Sequence, residues 1–86
     1  MNKKDLIAAI EKKRGSIGYS AWTVGITNDP ARRKEEHQNA GKSVGSWKHW
    51  KADSEAIARD VEKHFLDKKM KGGGGGGDKP TYVYVF

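Results

Sequence analysis

Arg33 and His37 stand four residues apart in a polar run, Pro30-Ala-Arg-Arg-Lys-Glu-Glu-His37. In a helix that spacing puts both side chains on one face, about one turn apart. A guanidinium there can grip a phosphate with two donors, while an imidazole titrates near neutrality and can carry a proton. Further along, Ile57, Ala58, Val61, Phe65 and Leu66 make the strongest helical stripe in the chain, and Glu62 lies at its rim. A carboxylate so placed faces neither bulk core nor open water and suits a hard cation.

The elements that must position these groups follow from capping and periodicity. Asp29 is a good N-cap and Pro30 fits the first helical position, predicting a helix over residues 30–38 with little core-facing surface. Before it, residues 19–26 read as a strand with Trp22, Val24 and Ile26 on one face. Tyr19, Ala21, Thr23 and Gly25 then take the other, and small groups there leave room for a close neighbour. Asn2 caps a helix over 2–13 with Leu6, Ile7 and Ile10 as its stripe, and Asp53 or Ser54 opens the third helix, reaching about residue 69. Residues 46–51, with Trp47 and Trp50, read as a short strand. The stretch 71–80, with its glycine run 72–77, reads as a flexible connector, because neither a helix nor Gly-Lys-Ser/Thr follows the glycines. Residues 81–86, Thr-Tyr-Val-Tyr-Val-Phe, close the chain as a strand too apolar to stay unpaired, with Tyr82, Tyr84 and Phe86 on one face.

Together these elements predict one α+β domain over residues 1–86, an antiparallel sheet of about three strands flanked by three helices. Seventeen Lys and Arg against eleven Asp and Glu leave a formal net charge of +6, which suits a polyanion or simply keeps a surface soluble. No run approaches the roughly 18 apolar residues of a membrane span. The start of the chain reads as no signal peptide, and with no cysteine there is neither a disulfide framework nor a thiolate metal site. The expectation is a cytoplasmic monomer or weak homo-oligomer.

The stretch from Thr23 to His37 resembles the second half of the GIY-YIG nuclease signature, a strand ending in Tyr-Ile-Gly-x-Thr, a turn, then a helix with Arg and His four apart. Gly25 and Thr27 fall on the Gly and Thr, Arg33 on the helix arginine and His37 one turn later. Ala58-Arg-Asp-Val-Glu62 is similar to the later helix whose glutamate holds the metal, so the likeness covers roughly residues 19–70. Two features depart from it. Thr23 stands where the family has tyrosine, and an amphipathic helix precedes Tyr19 in place of the Gly-Ile-Tyr strand.

The C-terminal strand can supply that missing strand, the glycine run letting it return to the sheet in a circularly permuted order. Tyr84 or Tyr82 would then be the missing tyrosine, with Tyr19 an alternative phenol. The resemblance implies a Mg²⁺-dependent DNA endonuclease in which tyrosine activates water, Arg33 holds the phosphate, His37 assists proton transfer and Glu62 binds metal. Arg32, Lys34, Trp47 and Trp50 would contact nucleic acid, and the compact size would suit a phage or mobile-element protein. The alternative is a non-catalytic module binding nucleic acid or protein. Each residue also has a plainer reading: Arg33 a solvated cation, His37 a partner of its helix dipole, Glu62 a partner of Arg59 or Lys69, and the two Trp core.

Overall fold

A computed structural model describes residues 1–73 and 79–86. Three helices, α1 (Lys3–Arg14), α2 (Pro30–Asn39) and α3 (Glu55–Asp67), accompany four strands, β1 (Thr23–Thr27), β2 (Lys48–Lys51), β3 (Lys71–Gly72) and β4 (Tyr82–Val85). Each helix begins on a side-chain cap. Asn2 accepts from the Asp5 N–H, Asp29 from Arg32 and Ser54 from Ile57. Gly15, at φ +61°, ends α1 in a conformation that favours glycine.

The sheet runs β2-β4-β1-β3. β4 lies between β2 and β1, antiparallel to both, with Val24 opposite Val85, Gly25 opposite Tyr84 and Thr27 opposite Tyr82. The last strand in sequence is therefore a central strand beside β1, and the α+β class with three helices holds. The strand order is the one in which a C-terminal strand pairs with β1.

Two boundaries differ from expectation. Residues 19–21 form a 3₁₀ turn, with Ala21 N–H bonded to Gly18 O and Trp22 N–H to Tyr19 O, so the strand begins only at Thr23. Lys71 and Gly72, expected as connector, add a fourth strand parallel to β1 and make the sheet mixed. Lys71 N–H bonds to Trp22 O, and Gly73 N–H to Val24 O. Within the expected connector, residues 74–78 lie outside the described residues.

One sheet face packs on α1 and α3 to form the core. Leu6 and Ile10 meet Val24, Ile26, Val83 and Val85 of the sheet and Ala58, Val61 and Phe65 of α3. α2 has no such stripe and lies on the other face, which carries Gly25 and Tyr84. That face holds Arg33, His37 and Tyr84. Among the described residues no helix is long and apolar enough to cross a membrane.

Candidate active site

Tyr84 organises this second face. It is fully buried, and its ring crosses from β4 over Gly25 of β1 to Gly73 just past β3. Neither glycine has a spare van der Waals shell on that side: a Cβ at Gly25 would sit 2.8 Å from Tyr84 Cε2 and closer still to Cζ and the oxygen. At Gly73 a Cβ would meet Cζ at 3.1 Å. A phenol can occupy the sheet surface here only because two side chains are missing beneath it.

α2 delivers two partners to the hydroxyl. Asp29 starts the helix, and Thr27 Oγ1 accepts from the Asp29 N–H at 3.0 Å, fixing the turn between strand and helix. One helical turn apart, Arg33 Nε donates to the Tyr84 oxygen at 3.3 Å and His37 Nε2 lies 2.9 Å from it. With the oxygen accepting from Arg33, the phenol proton points at His37 Nε2, which assigns the imidazole proton to Nδ1. Arg33 also donates to the Gly73 carbonyl and to Glu36.

Burial sets the charge states. It pushes the Tyr84 phenol above its ordinary value, the Arg33 hydrogen bond and charge pull it back down, and the negative charges of Glu62 and Glu36 push it up. The His37 imidazole is held below its ordinary value, first by burial and then by the charges of Arg33 and Lys42. Phenol and imidazole are thus both neutral at neutral pH. Glu62, on α3 in the other layer, is half-buried, and burial raises its carboxyl pKa while Arg59 lowers it. Arg59 itself pairs with Glu55 at 2.8 Å, and among the described residues Glu62 has neither a hydrogen bond nor an ion pair.

An aromatic stack roofs the phenol. The Trp47 ring is stacked on Tyr84 at 4.4 Å and 11°, and on Phe86 at 5.5 Å. Its indole N–H donates to His49 Nδ1 at 3.0 Å.

Of the residues expected at a site, Arg33, His37 and Tyr84 meet at one oxygen, and Glu62 is near enough for its charge to act on that oxygen. Thr23, Gly25 and Thr27 line the same face of β1, and Trp47 covers it. Five others fall elsewhere. Tyr19 is not on the strand: its hydroxyl donates to Glu11 at 2.7 Å, which raises its pKa, and Arg14 covers its ring. Trp50 packs against the core on the opposite sheet face, as its register with Val83 requires. Arg32 pairs with Glu36 at 3.8 Å, and Lys34 is exposed. Tyr82 lies opposite Thr27, a step away from Arg33. Sequence reasoning missed Gly73, whose carbonyl and bare Cα complete the phenol's seat; a glycine inside a glycine run carries no distinguishing signal.

The described residues contain no group of three or more His, Cys, Asp or Glu side chains that could cage a metal ion. The donor set that exists is one carboxylate without a partner, which fits a cation keeping most of its shell from water and substrate. Comparison with known proteins adds no family name: no protein-family model matches the chain, and neither a curated protein nor a solved structure matches it significantly.

Proposed function

We propose that this domain is a Mg²⁺-dependent endonuclease acting on DNA phosphodiester bonds. One observation carries the reading: a buried phenol shared by Arg33 and His37, with the unpartnered carboxylate of Glu62 acting on it.

In that reaction Tyr84 is the proton conduit. As water attacks phosphorus, the phenol oxygen takes its proton while handing its own to His37 Nε2, so no phenolate forms. His37 becomes an imidazolium, whose lowered pKa favours passing that proton on to solvent or the leaving oxygen. Arg33 holds the non-bridging oxygens. Its bond to the Gly73 carbonyl gives way to a charged phosphate oxygen, a stronger acceptor, and the hydroxyl is uncovered as Gly73 moves aside. Glu62 would hold the Mg²⁺, which when bound offsets charge on the leaving oxygen. Thr23 adds no second phenol, so the general-base work falls to Tyr84.

The test is nicking of supercoiled plasmid in Mg²⁺ and in chelator. Wild type should nick only with metal, and Arg33→Ala and Glu62→Ala should not. A wild-type protein silent under all metal conditions, or variants as active as wild type, would remove the enzyme.

A second reading, a non-catalytic module binding nucleic acid or protein, is favoured by the complete burial of Tyr84 and by the engagement of Arg33 with Gly73. It predicts salt-sensitive DNA binding without cleavage.

A further inference from the structure

A cavity of about 250 Å³ opens beside the aromatic stack, lined by Ala21, Thr23, Lys42, Ser43, Lys71 and Phe86. Its chemistry is that of an oxyanion seat. Lys42, from the loop after α2, and Lys71, at the start of β3, present two ammonium groups from separate elements. Neither ion-pairs with a carboxylate among the described residues. Ser43 and Thr23 add hydroxyls. A space of that size, open to solvent, admits a phosphate group together with water.

Position ties the cavity to the phenol. Phe86 forms one wall, exchanging backbone hydrogen bonds with Thr23 in both directions. The same ring packs 4.7 Å from His37 and 6.0 Å from Tyr84. One aromatic side chain, Phe86, therefore separates the cavity from the Tyr84 ring. Lys42 is near enough for its charge to lower the His37 pKa.

We infer that this cavity is a phosphate subsite, holding a phosphodiester that neighbours the one at Arg33 on the same strand. It rests on the nuclease reading for the identity of that strand, but its own chemistry is phosphate recognition by Lys42, Lys71, Ser43 and Thr23. Thr23 is one of its lining residues, so a larger side chain at that position would take up part of the space.

The experiment is binding of a labelled oligonucleotide in chelator, where nothing is cut, by anisotropy across a salt series. Wild type, the Lys42→Ala/Lys71→Ala double variant and a charge-matched Lys3→Ala/Lys4→Ala control are compared, each checked for folding by circular dichroism. Losing one phosphate contact should make the log–log salt slope shallower by about 0.7–0.9. Affinity at moderate salt should fall on the order of fivefold, with the control near wild type. A methylphosphonate placed at successive positions should weaken wild type at one position and leave the double variant unaffected there. Inorganic phosphate should shift the Ser43 and Lys71 amide resonances of wild type only weakly if the seat needs a strand, and strongly if it takes free phosphate; no shift with either probe overturns the subsite. So does a control that loses as much affinity as the double variant, a methylphosphonate scan that is flat, or failure to bind oligonucleotide at all. A sensitive position without plasmid nicking would keep the subsite and remove the nuclease, whereas nicking with a flat scan would do the reverse.

Discussion

Gly25→Ala is the sharpest test of how the phenol is seated. The new methyl carbon would lie 2.8 Å from Tyr84 Cε2 and nearer to Cζ and the oxygen, against 3.4–4 Å for ordinary contact. Tyr84 must retreat by at least about 0.6 Å at that carbon. It cannot swing freely, because Trp47 is stacked on its ring at 4.4 Å and Gly73 closes the far side. Overpacking of this kind costs about 1–3 kcal/mol, and each kcal/mol lowers Tm by about 4–8 °C in a domain this small. The hydroxyl also leaves its 2.9 Å contact with His37 Nε2 and its 3.3 Å contact with Arg33. Misplacement approaching an ångström costs on the order of 10²-fold in rate. Thermal unfolding and plasmid nicking measure the two effects. Gly18→Ala is the control, since its φ is −60° and nothing stands within 4 Å of its added methyl. Gly25→Ala with wild-type Tm and wild-type nicking would show that the phenol does not lie across β1 as described.

Tyr84→Phe removes the shared hydroxyl and should cost about 1–2 kcal/mol of stability and roughly 10²–10⁴ in nicking rate; a variant that nicks normally refutes the phenol's role. Glu62→Gln replaces a half-buried carboxylate whose pKa burial raises, so Tm should hold or rise while metal-dependent nicking falls. A nicking rate that keeps its Mg²⁺ dependence removes Glu62 as ligand. The folded-state pKa of His37 is depressed, so its neutral form stabilises the fold fully above the unfolded value near 6.5. That contribution is lost as pH falls from there toward the folded pKa, where the unfolded chain binds more protons. Tm should therefore drop between pH 7.5 and 5.5 by more in wild type than in His37→Gln, and equal drops would contradict the burial described here.

Local signals in the sequence were strong where the physics is local. Asn2, Asp29 and Ser54 cap as their side chains predict, and the stripes of α1 and α3 bury Leu6, Ile10, Ala58, Val61 and Phe65. The apolar pattern of β4 required only that it pair inside the sheet; that β1 is its partner came from the resemblance, which lacked a strand beside β1 that the C-terminal strand could supply. What failed was set by contacts between distant residues. Alternation carried the strand back to Tyr19, but residues 19–21 form a turn closed by backbone bonds to Gly18 and Tyr19, while the Tyr19 hydroxyl reaches Glu11 on α1. The two-residue β3 exists through backbone bonds to Trp22 and Val24, which no side-chain pattern announces. Tyr82 and Tyr84 share a face, and only the register, Gly25 against Tyr84 and Thr27 against Tyr82, chooses between them.

That register shows why chain order matters so little to the site. Three requirements converge on the Tyr84 oxygen: a donor and an acceptor from one helix face, a gap in the neighbouring strand, and burial. α2 meets the first through a four-residue interval, which brings Arg33 and His37 to the hydroxyl from the same side. Gly25 meets the second, and Trp47 with Phe86 the third. None asks whether the phenol arrives before or after the helix in sequence; a strand from the far end of the chain serves as well, provided it enters antiparallel in this register. Burial then does the electrostatic work, raising the phenol and lowering the imidazole until both are neutral and joined by a single proton. A pair in that state holds its shared proton with no buried ion at rest, and protonating Nε2 as well would make an imidazolium, which burial and the charges of Arg33 and Lys42 disfavour.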